Sequence, residues 1–364
     1  MVIQDVHTYA LMELTDPTTR VAVLGASGYA GGELVRLLAG HRRAEVTLLG
    51  AKDSAGTTLA EVHPHLASLP IGAQALAPID ADAIAQAADV AFCALPNGVS
   101  ATLVPALLEA GVRVIDLAGD FRLEAEDYPD WYGFEHPAPA LLEKAIYGLP
   151  ELFGARVVGA ELVANPGCYA TAAILGLAPL LGEGLIEPGV IRVDGKTGLS
   201  GAGRVANEST LYASTQESLR PYRVPRHQHT PEIERGLELS SGVAPPVLFV
   251  PHLVPAVRGV LTTSYATLTE GVTSEALTEV LTVAFAGRPC VRVMVPGGMV
   301  DSKRTRGTNV IELQAVADGR TGTAVVVGAV DNLVKGAAGQ AIQNMNLALG
   351  LDEAEGLPTL AVYP

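Results

Sequence analysis

The sequence has 364 residues, 49% of them hydrophobic and 17% charged, and its 24 basic against 39 acidic residues give a net charge of −15. This acidic balance excludes recognition of nucleic acid or of anionic membranes through the overall field of the protein. Any anionic ligand must therefore be bound locally, by helix N-termini or by a few placed arginines. The length predicts two domains.

Three cysteines, Cys93, Cys168 and Cys290, are spread along the chain. They are too few for a disulfide framework and too far apart for a close metal-ligand pair, which predicts a reducing, cytoplasmic compartment. No basic cluster near the start marks a signal peptide, and no apolar run approaches 18 residues without a break. We therefore expect neither secretion nor a membrane span.

The first half of the chain alternates predicted strands and helices. The stretch RVAVLGASGYAGGELVRLLAGH, from residue 20, has the pattern of strand, glycine turn and amphipathic helix, and the strand EVTLLGA completes a βαβ unit. Two further apolar strands, DVAFCALP and VRVIDLAG, flank a helical segment. This alternation predicts an α/β fold with a Rossmann-type, doubly wound parallel sheet through about residue 160.

The second half contains closely spaced strands with fewer helices. The runs VIRVDG, PVLFVPHLVP, RGVLTTSYATL, VRVMVP, NVIELQAVAD and TAVVVGAV predict an α+β domain with a mixed, largely antiparallel sheet. A helix, DNLVKGAAGQAIQNMNLAL, follows them. We predict an N-terminal extension at 1–20, a dinucleotide-binding domain at 21–165 and 331–364, and a catalytic, substrate-binding domain at 166–330.

The first strand is followed by a glycine loop, GASGYAG. Its glycines, Gly25, Gly28 and Gly31, allow a tight turn and close approach of a pyrophosphate to the exposed N–H groups of the helix. The predicted cofactor-binding residues of this loop are Gly25, Ser27, Gly28, Tyr29, Ala30 and Gly31. The alternative is a tight strand-to-helix connection without a ligand.

The second strand ends in GAKDSAG. NAD enzymes of this type carry an acidic residue here for the ribose 2′-hydroxyl, whereas Lys52 and Ser54 are better suited to a 2′-phosphate. The sequence therefore favours NADP, while Asp53 between them keeps NAD open.

Cys168 lies in NPGCYAT, directly before the helical pattern YATAAILGLAPLL. A helix start stabilises a thiolate, so we expect a lowered pKa and a reactive thiol at this position. The alternative is a buried structural cysteine, which we predict for Cys93 and Cys290.

PRHQHTPEIE places His227 and His229 two residues apart before a predicted helix, with Glu232 one turn later. An imidazole beside a thiol can act as its acid/base partner. The alternatives are a metal site that uses Cys168 with both histidines, or two exposed loop histidines. Since no other ligand set is visible, we predict no metal.

KTGLSGAGR is a second glycine-rich loop, from Lys196 to Arg204. Its backbone N–H groups can form an anion nest, and Arg204 can bind a phosphate bidentately. The alternative is a flexible surface loop.

Ten short stretches together resemble a known family, the N-acetyl-γ-glutamyl-phosphate reductases of the aspartate-semialdehyde dehydrogenase superfamily. They occur in the family's order between about residues 20 and 346: GASGYAGGEL, ALPNG, GDFRL, YGLPEL, NPGCYAT, TGLSGAGR, RHQHTPEI, PHLVPAVRG, RGTN and DNLVKGAAGQAIQNMN. The chain departs from the family in carrying Asn97 where ALPNG commonly has histidine, and its first twenty residues have no counterpart.

The resemblance implies that Cys168 attacks an acyl phosphate, expels phosphate and forms a thioester, which NADPH reduces to a semialdehyde. His227 is implied as the acid/base residue, with His229 and Glu232 orienting or contacting the small-molecule substrate. It further implies a site for the phosphoryl group at Arg204 and for a substrate carboxylate at Arg122.

Asn332 is implied as the residue that holds the nicotinamide amide, and a plain helix cap is its alternative.

Enzymes of this kind are often dimers or tetramers, so we expect a homo-oligomer. Three other functions stay open: reduction of an aminoadipyl phosphate one methylene longer, a nucleotide-binding sensor without catalysis, and a zinc hydrolase.

Overall fold

The structure is a computed structural model that describes residues 18–363. It contains one parallel and one mixed sheet. Two hydrophobic clusters pack on the parallel sheet and a third packs on the mixed sheet. Most of the extension predicted at residues 1–20, and Pro364, lie outside the described residues.

The first sheet is wholly parallel, with strand order β2-β1-β3-β4-β6-β5. Its elements are β1 (Thr19–Leu24), α1 (Tyr29–Leu38), β2 (Ala44–Gly50), α2 (Leu59–Val62), α3 (Ala81–Ala87), β3 (Val90–Cys93), α4 (Val99–Glu109), β4 (Arg113–Asp116), α5 (Tyr128–Trp131), β5 (Ile146–Tyr147), α6 (Pro150–Val157) and β6 (Leu162–Ala164). The apolar runs of the sequence form its central strands, which are buried on both faces, as parallel strands usually are. The predicted Rossmann-type sheet is confirmed.

The second sheet is mixed, with strand order β11-β12-β13-β10-β7-β9-β8. Its elements are α7 (Cys168–Gly182), β7 (Ile191–Thr197), α8 (Tyr212–Thr215), β8 (Arg220–Pro221), α9 (His229–Ser241), β9 (Val247–Leu253), β10 (Val260–Thr267), α10 (Ser274–Ala284), β11 (Val291–Val293), β12 (Ile311–Asp318) and β13 (Thr323–Val330). Only the β11–β12 and β7–β9 pairs are parallel, so the predicted largely antiparallel sheet is also confirmed.

Helix α7 is the centre of the hydrophobic cluster on the mixed sheet. Twelve of its fifteen residues are buried, and it packs against α9, β10 and β13. A helix that is apolar on all sides must be covered on all sides, and each fully buried leucine or isoleucine contributes about 1.5–3 kcal/mol. This packing fixes the position of the first residue of α7, which is Cys168.

The chain returns to the first sheet after β13, through a π-helical turn (Val334–Ala338) and α11 (Gly339–Ala348). Val334, Ala338, Ile342 and Met345 pack into the core of the first sheet with strand residues such as Val21. The junction between β13 and the π-helical turn therefore lies where the two sheets meet.

Candidate active site

Cys168 begins α7 a few residues after β6 ends at Ala164, at the carboxyl edge of the parallel sheet. Ligands of open α/β sheets bind along this edge. Gly167 caps the helix with extended backbone and no side-chain hydrogen bond. A Cβ atom on Gly336 would lie 2.6 Å from Cβ of Cys168, so the π-helical turn touches the cysteine directly.

The fully buried carboxylate of Glu232 links four elements around the cysteine. Its Oε1 accepts hydrogen bonds from the Gly167 backbone N–H at 2.7 Å and the Tyr147 hydroxyl at 3.0 Å. Its Oε2 pairs with Nη1 of Arg122 at 3.1 Å and lies 3.8 Å from Nε2 of His229. Glu232 thereby fixes the start of α7 and one of the two predicted histidines.

The two histidines form an aromatic cluster beside Cys168. Their ring centroids are 4.8 Å apart, and both lie near the Tyr169 ring, at 6.2 Å for His227 and 5.8 Å for His229. The His229 ring packs on Gly167, where any Cβ atom would overlap Nε2. The structure thus brings Cys168, His227, His229 and Glu232 together, as the sequence motifs suggested.

Hydrogen bonding assigns different states to the two rings. Nδ1 of His227 accepts the backbone N–H of His229 at 3.1 Å, which leaves the proton of the neutral ring on Nε2. Nδ1 of His229 is buried and has no hydrogen-bond partner among residues 18–363. Burial lowers the pKa of His227 to about 2 and that of His229 to about 3, so both rings are neutral at pH 7.

The predicted pKa of Cys168 was wrong in direction. Burial raises the pKa of the thiol to about 11, against opposing effects of the Tyr169 backbone N–H and the Arg122 guanidinium. The residue keeps some exposed surface, yet the dense packing at the start of α7 outweighs the helix dipole. The thiol is therefore un-ionised at rest and needs a base. Cys93 and Cys290 are buried, as predicted.

Arg122 is not free to meet a carboxylate in the way that the resemblance implies. Its side chain is 6% exposed, Nη1 pairs with Glu232, and Nη2 donates to the Leu117 carbonyl oxygen at 2.8 Å. Only Nε has no hydrogen-bond partner within residues 18–363. The main role of Arg122 in this geometry is to form the buried ion pair with Glu232.

The glycine loop forms a cradle that contains almost no side chains. Gly25 has a φ of 86° and packs so closely that a Cβ atom would overlap the Ala94 carbonyl oxygen. A Cβ atom on Gly31 would overlap the Gly25 carbonyl oxygen and lie 2.8 Å from Cα of Ala26. Gly28 caps α1 without a side-chain hydrogen bond, and the first turn has no acidic residue. This cradle fits a dinucleotide pyrophosphate, which needs free N–H groups and no negative charge.

The other predicted residues of this site surround the cradle. Ser27 and Ala30 are half-buried, Tyr29 is exposed, and the segment after β2 carries an exposed Lys52 and a half-buried Ser54. They lie at the carboxyl edge of the sheet, where the cofactor of such folds binds.

Arg204 lies at the cofactor loop. Its Nη1 donates to the Ser27 carbonyl oxygen at 3.0 Å and its Nη2 to that of Val62 at 2.8 Å. The resemblance implied a role at the phosphoryl group of the substrate. The structure instead connects the KTGLSGAGR loop to the predicted pyrophosphate site.

Asn332 holds two loops of the second domain with its side-chain amide. Its Oδ1 accepts the Gly259 backbone N–H at 2.8 Å, and its Nδ2 donates to Oγ of Ser200 at 2.9 Å. Asn332 does not act as the predicted helix cap. The neighbouring Asp331 accepts the backbone N–H of Leu333 with its Oδ1 at 2.8 Å.

An ion-pair network next to the cradle was missed by the sequence analysis. Glu33 on α1 is 3% exposed and pairs with Arg258 at 2.9 Å, and Arg258 lies 3.5 Å from Asp331. The network connects the cofactor helix to the second sheet. An acidic residue beside the buried Leu34 and Val35 was the available signal for it.

The departure at Asn97 is accommodated locally. Its Oδ1 accepts the Gly119 backbone N–H at 3.1 Å.

Among residues 18–363, no group of three or more His, Cys, Asp or Glu side chains is arranged to hold a metal ion. No helix in that range combines the length and apolar character needed to cross a bilayer.

Comparison with known protein families identifies both halves of the chain. Residues 20–160 match the model of the semialdehyde dehydrogenase NAD-binding domain, and residues 168–332 match that of the semialdehyde dehydrogenase dimerisation domain. The chain is therefore a semialdehyde dehydrogenase in class, with a nicotinamide dinucleotide cofactor.

Curated relatives narrow this class. An N-acetyl-gamma-glutamyl-phosphate reductase of Magnetococcus marinus is 45% identical over 348 residues, covering 95% of this chain and 99% of that relative. The protein of the same name from Brevibacillus brevis is 46% identical over 347 residues, with the same coverage. The chain belongs to the N-acetyl-gamma-glutamyl-phosphate reductase family.

Solved structures agree in fold. The aspartate semialdehyde dehydrogenase II of Vibrio cholerae, complexed with ASA, superposes with a TM-score of 0.70 at 16% identity, covering 91% of this chain and 98% of that one. The aspartate semialdehyde dehydrogenase of Candida albicans, solved with NADP, gives a TM-score of 0.68 at 16% identity with the same coverage.

Proposed function

We propose that this protein reduces N-acetyl-γ-glutamyl phosphate with NADPH to N-acetyl-glutamate semialdehyde and phosphate, a step of arginine biosynthesis. The observation that carries the proposal is Cys168 at the start of α7, held beside two neutral histidines by the buried Glu232. A nucleophile with a neighbouring base is what acyl transfer from an acyl phosphate requires. The names of the 44–46% identical relatives support the glutamyl substrate over the longer aminoadipyl one.

The glycine cradle would hold the cofactor pyrophosphate, and Lys52 and Ser54 would bind the 2′-phosphate that distinguishes NADP from NAD. When bound, the nicotinamide supplies a hydride to the thioester carbonyl. Asn332 orients the loops of Ser200 and Gly259 beside that site, through contacts of its own amide.

In the first step, Sγ of Cys168 bonds to the acyl carbon, the bond from that carbon to the phosphate oxygen breaks, and phosphate leaves. The thiol proton needs an acceptor because burial keeps the thiol un-ionised. The proton leaves as the S–C bond forms, because bonding to carbon makes the S–H group strongly acidic. Nδ1 of His229 is the ring nitrogen without a partner and is the proposed acceptor, with the Glu232 carboxylate 3.8 Å from Nε2 of the same ring.

The task proposed for His227 differs from the acid/base role that the resemblance implied. Because its Nδ1 accepts a backbone N–H, its Nε2–H is a donor. A donor at this position stabilises the carbonyl oxygen as negative charge develops on it. The collapse of the Cys168 thiohemiacetal then releases the semialdehyde and regenerates the thiol.

Mass spectrometry after incubation with the acyl phosphate, without NADPH, tests this proposal. We expect an acylated Cys168 peptide and one phosphate released per active site. Cys168→Ala should release none while it still binds NADPH. Retained turnover in Cys168→Ala would refute the proposed chemistry.

The histidine roles are separable by measuring the phosphate burst without NADPH and, in a second experiment, the single-turnover reduction with NADPH. His229→Ala should slow the phosphate burst, whereas His227→Ala should slow the later reduction, each by about 10²–10⁴-fold. The opposite pattern would exchange the two roles.

We further propose a cytoplasmic homo-oligomer, a dimer or a tetramer. The match of residues 168–332 to a dimerisation domain supports the association. The domain division at 21–165 with 331–364, and 166–330, is supported by the packing of α11 on the first sheet. Sedimentation analysis of the purified chain tests the oligomeric state.

A further inference from the structure

A cavity of about 560 Å³ opens beside the reactive cluster. Three segments form its wall: the loop after β3, the end of α5, and the loop between β8 and α9. The lining residues are Asn97, Trp131, Tyr132, Arg223, Val224, Pro225, Arg226 and Gln228. None of the described residues that line it is acidic.

Two arginines give this cavity its charge. The guanidinium of Arg226 lies over the Trp131 ring, 5.4 Å from its centroid. Nη1 of Arg223 donates to Oε1 of Gln228 at 2.7 Å. Within residues 18–363 neither arginine pairs with a carboxylate, in contrast to Arg122, which is neutralised by Glu232. In a chain of net charge −15, two arginines without a carboxylate partner give this cavity a locally positive charge.

The cavity adjoins the reacting groups. Gln228, one of its lining residues, separates His227 from His229 in the chain. The Arg223 charge contributes to lowering the pKa of both histidines, so the guanidinium is within electrostatic range of them. On the opposite side, the buried hydroxyl of Tyr132 packs against Gly119 and has no hydrogen-bond partner among the described residues.

Arg223 is held in an uncommon backbone conformation. Its φ is 47°, in the left-handed region that residues other than glycine rarely occupy. Such conformations persist where the surrounding structure requires a particular side-chain direction, and they cluster at ligand sites.

We propose that Arg223 binds the α-carboxylate of the substrate in this cavity, so that the enzyme selects acyl phosphates and aldehydes with a carboxylate at the far end. The inference rests on the proposed function and assigns the carboxylate to Arg223 instead of Arg122. Arg226 contributes charge but is stacked on Trp131. A planar guanidinium is the side chain that pairs bidentately with a carboxylate.

The test compares two aldehydes in the reverse reaction, with phosphate and NADP⁺. N-acetyl-glutamate semialdehyde carries the carboxylate, and 4-acetamidobutanal is the same molecule without it. We expect the wild-type enzyme to prefer the first. Arg223→Gln should lower kcat/KM for that aldehyde about 10–100-fold, mainly through KM, and leave the value for 4-acetamidobutanal unchanged.

Two further variants keep the test specific. Arg223→Lys should recover part of the preference, and Arg320→Gln, which alters an arginine that is 83% exposed, should behave as wild type. Equal losses for both aldehydes, or an unchanged preference in Arg223→Gln, would overturn the assignment. A wild-type enzyme that oxidises neither aldehyde would overturn the proposed function, and this inference with it.

Discussion

The glycine cradle and the cysteine cluster are built in opposite ways. In the cradle, Gly25 and Gly31 let the backbone turn tightly against itself, because a Cβ atom at either position would overlap a neighbouring carbonyl oxygen. In the cluster, Glu232 fills its space and satisfies the N–H of Gly167, the hydroxyl of Tyr147 and the guanidinium of Arg122. The cradle is therefore sensitive to added atoms, and the cluster to lost charges and hydrogen bonds.

Glu232→Gln should give the largest effect, because it removes the charge that Arg122 faces in a buried site. We expect kcat to fall by about 10²–10³-fold and the free energy of unfolding by about 3 kcal/mol. Urea unfolding and the phosphate-burst assay measure the two losses. Glu238→Gln, an exposed position on the same helix, is the matched control. Near-identical behaviour of both variants would show that Glu232 does not organise the cluster.

Gly31→Ala breaks the cradle and leaves the cluster intact. The added Cβ overlaps backbone, so we expect the Kd for NADPH to rise about 100-fold, as for overpacking by about 3 kcal/mol. Acylation of Cys168 should continue. Gly189→Ala, which adds a Cβ atom into open space, is the control for fluorescence titration of NADPH. Unchanged NADPH affinity in Gly31→Ala would remove the cradle from the cofactor site.

Two sets of buried groups respond to pH in opposite directions. His227 and His229 have folded pKa values of about 2 and 3 against about 6.5 unfolded, so the unfolded chain gains more protons as the pH falls. Each of the two histidines therefore lowers the free energy of unfolding by about 2 kcal/mol at pH 5. Asp116, at the end of β4, has a pKa raised to about 7 by burial and by Asp120. Its contribution is present at acid pH and lost as the pH rises through 7.

Asp116→Asn should therefore lose about 3 kcal/mol more stability than the wild type between pH 8 and pH 5. The double variant His227→Asn/His229→Asn should lose less than the wild type. Denaturant unfolding at both pH values measures the differences. Parallel pH dependence in all three proteins would contradict the burial of these groups in the stated protonation states.

Arg204→Gln should give the smallest effect. Arg204 is exposed and donates two hydrogen bonds to carbonyl oxygens at the cradle, so we expect the KM for NADP⁺ to rise about 3–10-fold. The KM for phosphate in the reverse reaction should stay constant. A change in the phosphate KM alone would restore the role that the resemblance implied for Arg204.

Local patterns predicted the parts of the site that depend on local structure. The glycine spacing and the helix start at Cys168 are properties of short segments, and the structure contains both. The partners of Glu232 come from residues 122, 147 and 167, and no pattern in the sequence pairs them. The predicted lowering of the Cys168 pKa was wrong for the same reason. The helix dipole is a local property, whereas the burial of the thiol depends on distant segments such as Gly336.

The raised pKa of Cys168 also has a chemical consequence for the life of the enzyme. Peroxides and alkylating agents attack thiolates, and the un-ionised form reacts slowly with them. With a pKa of about 11, this sulfur stays in its inert form at neutral pH until a bound acyl group and an imidazole take part together. We therefore expect the crowded start of α7 to slow adventitious oxidation of the nucleophile between turnovers.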